Sequence, residues 1–343
     1  MVTAKPILTI TMGDPSGIGP EIAAKALAEK PTYKICHPLI VGDANAMRQA
    51  VDIAGVDLKI RPVSEVVEAE FQYGIMDVID LKNVDVNCLE HGKVSASAGK
   101  AAFEAIKKAI ELALVKQIDG TVTGPIHKGA LNLAGHHFSG HTEIYAHYTN
   151  TQDYAMMLAE ESFRIVHVTT HVSLRQACDL VKKERVLKVI QLADDVCKKL
   201  GIANPRVGVA GLNPHSSDGG LFGCEEEKEI IPALEAARTS GINADGPVPP
   251  DILFSKTKGG RYDVAIAMYH DQGHIPLKLC GFTWDEDKNK WHSVSGVNVT
   301  LGLPIIRTSV DHGTAFDIAG KGTATAKSLI NAIEYAAKMA GAK

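Results

Sequence analysis

The sequence contains few aromatic residues and no closely paired cysteines. Phe, Trp and Tyr make up 5% of the 343 residues, and the six cysteines (36, 88, 178, 197, 224 and 280) include no Cys-x-x-Cys pair. Such wide spacing in a chain of this length is not typical of a small disulfide-stapled scaffold. We therefore interpret the cysteines as reduced, mostly buried thiols.

Long apolar runs and a strong charge imbalance are also absent. The formal net charge is −4, and no long block of Lys and Arg occurs. This composition gives no basic surface for a nucleic acid, so an anionic substrate has to be held by local positive groups. There is no signal-peptide core and no run of about 18 apolar residues. We expect a cytoplasmic protein with neither a nucleic acid nor a membrane as partner.

Apolar strand-like runs alternate with helical patterns along most of the chain, and 31 glycines supply turns between them. This alternation is typical of an α/β fold, with a parallel sheet and crossover helices. The length suits two α/β lobes. Residues 283–295 are polar and interrupt two apolar runs, which indicates an inserted surface loop or hairpin. Strands are predicted at 7–12, 38–42, 119–123, 163–171, 206–211, 263–271 and 297–309, and helices at 20–29, 94–116, 183–200, 225–240 and 323–340.

Three histidines follow strand-like runs that are far apart in the sequence. They are His171, His215 and His270. Open α/β sheets bind ligands beyond the carboxyl ends of their strands, so the three imidazoles could meet on one divalent cation and leave a position for substrate oxygen. The alternative from the residues alone is that each is a separate loop histidine.

Several polar residues could bind an anionic substrate. Lys278 and Arg307 are cations among apolar neighbours, where they could either snorkel to the surface or pair with an anion. His141 and Thr142 follow Ser-Gly and could donate to a phosphate, although Thr142 could equally cap a helix. Asn298 interrupts a strand-like run and could instead be an outward-facing strand residue.

Two glycine-rich stretches are candidates for a nucleotide site. The opening Gly-Asp-Pro-Ser-Gly-Ile-Gly-Pro-Glu (13–21) resembles a phosphate loop, but it is weak evidence because it lacks the G-x-G-x-x-G spacing. The second stretch (312–322) could wrap an adenosine, with Asp317 accepting from the ribose 2′-hydroxyl and thus favouring NAD over NADP. It could also be a polar turn. The cofactor-binding candidates are Gly313, Asp317, Ile318 and Gly320.

Several long motifs in order resemble the 4-hydroxythreonine-4-phosphate dehydrogenase family over essentially the whole chain. They are GDPSGIGPE, TGPIHKG, FSGHTE, GLNPHSSDGG, AMYHDQG and GVNVTLGLPIIRTSVDHGTA. The resemblance implies a two-domain α/β/α fold like that of isocitrate and isopropylmalate dehydrogenases, an active site in a cleft, and a homodimer. We expect one domain from 1–125 plus 300–343, with the cofactor loop, and a second from 126–299, with the metal ligands and dimer contacts.

The resemblance also assigns roles to the candidate residues. It implies that His171, His215 and His270 hold one divalent metal ion (Zn, Co, Ni, Mn or Mg) in a site completed across the dimer interface. The implied substrate contacts are His141, Thr142, Lys278, Asn298 and Arg307. Asp251 and Asp271, together with Lys278, are the candidates for catalytic proton transfer or for orienting a ligand. Either aspartate could instead be a surface turn residue or a strand-end cap.

The sequence looks closer to the branch of that family that acts on 4-phospho-D-threonate and 4-phospho-D-erythronate. The expected reaction is NAD-linked oxidation at C3, followed by decarboxylation to dihydroxyacetone phosphate. One alternative is oxidation of 4-phosphohydroxy-L-threonine in vitamin B6 biosynthesis. A second is an aromatic cis-dihydrodiol carboxylate dehydrogenase, and a third is a metal-dependent sugar-phosphate binding protein without turnover.

Overall fold

The computed structural model describes residues 5–286 and 290–341. Its strands are β1 (Ile7–Thr11), β2 (His37–Gly42), β3 (Lys59–Val63), β4 (Ile75–Asp80), β5 (Gly120–Thr123), β6 (Ala155–Glu160), β7 (Phe163–His167), β8 (Val207–Ala210), β9 (Ala244–Val248), β10 (Val264–Ala267), β11 (Phe282–Asp285), β12 (Lys290–Val294), β13 (Val297–Leu301) and β14 (Arg307–Val310). Its helices are α1 (Gly19–Leu27), α2 (Thr32–Ile35), α3 (Ala44–Ala54), α4 (Ala96–Leu114), α5 (Lys128–Leu133), α6 (His141–Tyr148), α7 (Leu174–Leu180), α8 (Lys183–Lys199), α9 (Ile231–Thr239), α10 (Pro250–Lys258), α11 (His270–Gly281) and α12 (Lys327–Gly341).

The chain divides into two compact units, as a two-lobed α/β protein should. The first runs up to Thr151 and takes in Leu303–Gly341, and the second is Gln152–Gly302. The boundary differs from the predicted one, because residues 126–151 belong to the first unit. Helices α5 and α6 in this segment pack on α4, where Leu131 and Tyr145 share a buried cluster with Ile106.

The first unit contains a wholly parallel sheet in the order β3-β4-β2-β1-β5-β14. Its central strands are buried and apolar, as in β2, where Leu39 and Val41 pack against Ala109 of α4. Buried strands with helices on them read as continuous aliphatic runs, which is why the sequence identifies them. The predicted α/β class is confirmed.

The second unit contains a mixed sheet in the order β13-β6-β7-β10-β8-β9. Strand β6 pairs antiparallel with both β13 and β7, whereas β7, β10, β8 and β9 are parallel neighbours. Leu158 of β6, Leu253 of α10 and Leu277 of α11 belong to one buried cluster beside this sheet. The prediction of a parallel sheet therefore holds for only part of this unit.

Two local predictions need correction and one is resolved. The strand predicted at 297–309 is two strands, β13 and β14, and Gly302 between them has φ +89° with Asp153 O so close that no side chain would fit. The cysteines are all free, but only Cys36 and Cys197 are buried, so the expected burial of most of them is wrong. Strands β11 and β12 pair antiparallel, which makes the 283–295 segment a hairpin; residues 287–289 lie outside the described residues.

Candidate active site

The structure brings two of the three candidate metal ligands together at the carboxyl edge of the second sheet. Strands β7 and β10 are parallel neighbours, so His171, beyond β7, and His270, the first residue of α11 after β10, emerge on the same side. The segments that follow these two strands are also joined, because Thr169 Oγ1 donates to Met268 O at 2.8 Å. The ring centroids of His171 and His270 are 6.0 Å apart.

Both rings line a cavity of about 250 Å³, whose wall also includes Asp271 and Tyr269. His270 Nδ1 lies 2.7 Å from Asp271 Oδ1. A carboxylate on one ring nitrogen fixes the orientation of an imidazole and leaves the other nitrogen for a cation. This contact fits the predicted orienting role of Asp271.

His215 lies in an unusual left-handed turn after β8. Its φ is +53°, and left-handed backbone continues through Ser216, Ser217 and Asp218 to Gly219 and Gly220. The turn starts from an anchored segment, because Asn213 donates through Nδ2 to both Glu225 and Glu226, at 2.8 Å each. Several consecutive non-glycine residues in this region are costly, so the surrounding structure has to hold the turn in place.

The donor set is chemically suited to a borderline-soft cation, but the described residues do not assemble all of it. Among residues 5–286 and 290–341, no group of three or more His, Cys, Asp or Glu side chains is arranged to hold a metal ion. His171 and His270 present imidazoles to a shared cavity, and an imidazole pair fits Zn²⁺, Co²⁺ or Ni²⁺. The three-histidine site therefore stays a prediction, because the cavity that His171 and His270 line does not include His215.

Behind His270 lie two further histidines that the sequence interpretation did not single out as site residues. His274 stacks on His270, with centroids 3.6 Å apart, and His167 lies 4.7 Å from His274. Burial, with the adjacent His270, lowers the pKa of His274 to about 4. Burial, with the neighbouring His274, lowers the pKa of His167 to about 3. The four-residue spacings 167–171 and 270–274 were the available sequence signal.

The remaining candidates in the second unit are more widely distributed. Asp251, in the first turn of α10, is exposed and lines with Asp271 an open cavity of about 400 Å³. Lys278 Nζ, on α11, lies 4.2 Å from the centroid of the Phe282 ring. Asn298 lies on β13, where it pairs in register with Leu158 of β6. Its side chain is half-buried, and Oδ1 accepts no hydrogen bond from the described residues.

In the first unit, Arg307 at the start of β14 is buried, and His141 at the start of α6 is half-buried. Arg307 is only 2% exposed, and its Nη2 donates to Thr123 Oγ1 at 2.9 Å. Burial lowers its pKa to about 10. Burial and the nearby Arg307 guanidinium hold the pKa of His141 well below its ordinary value. Thr142 follows in the first turn of α6.

The two glycine-rich stretches, considered separately in the sequence, are in contact. Ile18 N donates to Thr314 O at 3.0 Å, and Gly17 lies so close to Thr314 that a Cβ would be 2.9 Å from its side chain. Asp14 N donates to Pro125 O, which joins a third loop to the first. The first stretch follows β1, the loop with Pro125 follows β5, and the second stretch follows β14. These neighbouring parallel strands end at the same edge of the first sheet, where nucleotides bind in such folds.

Within the second stretch, the cofactor candidates occupy one continuous loop between β14 and α12. Asp317 is exposed, and its neighbour Phe316 stacks on His127 with centroids 4.9 Å apart. Gly320 has φ +75° and packs against His91. Gly313 is exposed and Ile318 is half-buried. This loop offers an exposed carboxylate and exposed backbone, as a ribose site requires.

Asp14, in the first stretch, is fully buried. Its Oδ1 accepts from Ser16 N at 2.9 Å, while its Oδ2 has no hydrogen-bond partner among the described residues. Burial raises the pKa of this carboxyl to about 6. The sequence interpretation did not single out Asp14.

Comparisons by family model, by sequence and by structure give related enzyme families. The model of the family described as "Pyridoxal phosphate biosynthetic protein PdxA" matches residues 34–336. A protein of Oceanobacillus iheyensis, provisionally named a D-threonate 4-phosphate dehydrogenase, is 46% identical over all of both chains. The crystal structure of a Klebsiella pneumoniae 4-hydroxythreonine-4-phosphate dehydrogenase is 42% identical, with 99% of each chain covered and a TM-score of 0.86.

A more distant solved structure is the terephthalate 1,2-cis-dihydrodiol dehydrogenase of Burkholderia xenovorans LB400, at 30% identity, 98% of each chain covered and a TM-score of 0.68. No helix in the described parts of the chain is long and apolar enough to cross a membrane. The resemblance drawn from the motifs is thus confirmed at full length. The chain belongs to the PdxA family and is a dehydrogenase, an oxidoreductase that acts on a CH–OH group.

Proposed function

We propose that the chain oxidises C3 of 4-phospho-D-threonate or 4-phospho-D-erythronate with NAD. The 3-keto acid formed loses CO₂ and gives dihydroxyacetone phosphate. The observation that carries the choice of substrate is the full-length 46% identity to a protein provisionally named a D-threonate 4-phosphate dehydrogenase. Each unit carries a feature that supports the choice: the second presents imidazoles suited to a cation, and the first contains a buried arginine.

His171 and His270, together with His215, would hold a divalent ion, and Asp271 would orient His270 through the 2.7 Å contact at Nδ1. When bound, the ion supplies Lewis-acid polarisation of the substrate hydroxyl and of the keto oxygen that follows. Asp251 and Asp271 present carboxylates to a shared cavity next to this site, and Lys278 lies on the same helix as His270. These three residues are our candidates for taking the hydroxyl proton and for protonating C2 after CO₂ leaves.

Arg307, His141 and Thr142 would bind the anionic end of the substrate. A desolvated guanidinium gains more from an anion than an exposed one does, and the His141 imidazole lies close enough to Arg307 for the guanidinium to lower its pKa. Asn298 would contribute a side-chain amide to substrate binding. The exposed Asp317 would accept from the ribose of NAD, which supplies the hydride acceptor.

We also propose a homodimer in which the partner completes the metal site. Large apolar side chains are exposed on the elements that carry the predicted ligands. Leu221 and Phe222 follow the His215 turn, and Ile275 and Leu279 lie on α11, at 72%, 48%, 58% and 79% exposure. Light scattering at micromolar concentration should give twice the chain mass, and a monomer at that concentration would contradict the proposal.

The second candidate reaction is oxidation of 4-phosphohydroxy-L-threonine. It is favoured by the 42% identity to the Klebsiella pneumoniae protein named a 4-hydroxythreonine-4-phosphate dehydrogenase. The two substrates differ by an amino group at C2. The deciding assay follows NADH formation with purified protein, added Zn²⁺ or Co²⁺, and each of the three phosphorylated acids. NADH from the two sugar-acid phosphates, abolished by a chelator, supports the proposal. NADH from the amino-acid phosphate alone would replace it with the second candidate.

A further inference from the structure

Four of the histidines of the second unit form a continuous row of rings leading inward from the candidate metal site. His171 faces His270 at 6.0 Å, His274 stacks on His270 at 3.6 Å with the planes 11° apart, and His167 follows at 4.7 Å. The predicted ligand His270 is therefore held on one face by a nearly parallel imidazole. The family function described above does not use His274 or His167.

Each of the inner rings is itself fixed. His274 Nδ1 lies 2.9 Å from His270 O, one helical turn back on α11. His167 is fully buried at the end of β7, with Nδ1 3.4 Å from Met156 O. Gly273 lets this ring approach the helix, because a Cβ there would be 2.4 Å from His167 Nε2. The row is thus anchored to the sheet at its inner end.

Stability alone does not explain imidazoles at these two positions. His167 Nε2 is buried without a hydrogen-bond partner among the described residues, and a buried polar atom in that state destabilises the folded protein. A leucine would fill a similar volume without burying a polar atom. The polar rings therefore call for a role other than filling the core.

We propose that His274, backed by His167, is a positioning residue that holds the His270 ring in one orientation for a divalent cation. This rests on the proposed function of His270 as a ligand. Asp271 fixes the direction of the ring through Nδ1, and the stack on His274 fixes the tilt of its plane. A ligand held in both respects loses less rotational freedom when it binds the cation.

The test is titration of the metal-free protein with Co²⁺ alone, by calorimetry and by the visible absorption of bound Co²⁺. His274→Leu should weaken Co²⁺ binding by about tenfold and change the Co²⁺ spectrum, as loss of an outer partner does. Its urea unfolding midpoint should not fall. His274→Phe keeps a flat ring against His270 and should recover most of the affinity. His167→Leu should weaken binding by a smaller factor.

The matched control is His37→Leu, which removes a half-buried histidine packed on Phe71 in the first unit and should leave Co²⁺ binding unchanged. Wild-type affinity in His274→Leu, or no recovery in His274→Phe, would overturn the positioning role. His270→Ala separates the two proposals. If it abolishes binding while His274→Leu does not, the ligand assignment stands and the positioning role fails. If it binds Co²⁺ like the wild type, both fail.

Discussion

At the scale of single residues, the molecule buries ionisable side chains in its first unit. Asp14 and Arg307 are both almost completely shielded from water, and burial shifts each pKa towards the neutral form. Burying a charge costs folding energy unless a partner offsets it. In a dehydrogenase, such residues are candidates for contacts that form only when a ligand is bound.

Asp14→Asn should stabilise the folded protein at pH 7. The folded pKa of about 6 lies above the unfolded value of 3.8, so the folded state keeps its proton where the unfolded chain has lost it. The contribution to stability is present below about pH 4 and is lost as pH rises through about 6, a difference of about 3 kcal/mol. Urea unfolding at pH 4, 6 and 7 should show a gain at pH 7 and a flatter pH dependence in the variant.

The control for this substitution is Asp43→Asn. Asp43 is also buried, but it accepts from Asn45 N, Ala46 N and Val84 N, which an amide could not fully satisfy. It should destabilise the protein at pH 7. A loss of stability in both variants would mean that Asp14 is ionised and satisfied in the folded state.

Arg307→Lys should raise the KM for the phosphorylated substrate by about tenfold with little change in kcat. Lysine keeps the charge but loses the planar fork that grips an anion with two hydrogen bonds. Binding that is shared by the ground and transition states appears in KM alone. Steady-state kinetics on the substrate chosen by the NADH assay would test this, and an unchanged KM would mean that Arg307 serves only the packing around Thr123 and Tyr145.

At the scale of helices and strands, helix α11 contains two residues that ordinarily disfavour a helix interior. It carries Gly273 against His167 and continues through Pro276, which removes one backbone donor from its interior. Both residues ordinarily signal a break, so the sequence pattern does not predict a helix there. Its existence is a tertiary effect, produced by packing on the sheet.

Gly273→Ala should destabilise the protein by about 1–3 kcal/mol, because overpacking against the His167 ring outweighs the better helix propensity of alanine. Gly259→Ala is the matched control, since its added Cβ would meet nothing closer than 3.3 Å and its backbone is not left-handed. That variant should be neutral or slightly stabilising. Equal unfolding midpoints for the two variants would show that the His167 ring yields without cost.

The same contrast explains which elements could be predicted. Strands β1, β2, β5, β7, β8 and β10 and helices α1, α4, α8 and α12 follow from apolar periodicity, because each buries a regular stripe. The antiparallel pairing of β6 with β13 depends on partners distant in sequence, as in the register of Val299 with Met157. The assignment of 126–151 to the first unit depends on contacts of α5 and α6 with α4. Local patterns do not encode either.

The candidate site shows the same division. The motifs predicted that His171, His215 and His270 meet, and the structure places the rings of His171 and His270 6.0 Å apart, since parallel strands end on one edge of a sheet. They gave no sign that His274 and His167 stand behind His270, because the ring stack depends on the close approach of α11 to β7. The contact between the two glycine-rich stretches depends likewise on the order of β1, β5 and β14.

At the scale of the whole molecule, the predicted chemistry is divided between the two units. The cofactor loop with Asp317 lies in the first unit, and all three candidate metal ligands lie in the second. Because the two sets of residues belong to different units, a substitution that removes a metal ligand should leave NAD binding unchanged, and a substitution in the cofactor loop should leave metal binding unchanged. This gives a test that does not depend on knowing the substrate.

His215→Ala should weaken Co²⁺ binding and remove most turnover while leaving the Kd for NAD within about twofold of the wild-type value. Asp317→Ala should do the reverse, raising the Kd for NAD by about tenfold, as expected for loss of a charged hydrogen bond, with Co²⁺ binding unchanged. Calorimetry with each ligand on both variants measures this. Loss of NAD binding in His215→Ala would show that the two sites are coupled.

The left-handed turn at 215–220 restricts which sequences this protein can tolerate over evolutionary time. Six consecutive residues have φ between +47° and +96°, and the four that are not glycine are His, Ser, Ser and Asp. Gly adopts this backbone without penalty and Asn and Asp adopt it at a lower cost than most residues do, while β-branched Val, Ile and Thr are strongly disfavoured. A saturation library selected for growth on the substrate should therefore retain a narrow set of residues at 216–218, even though none of these three is a proposed ligand.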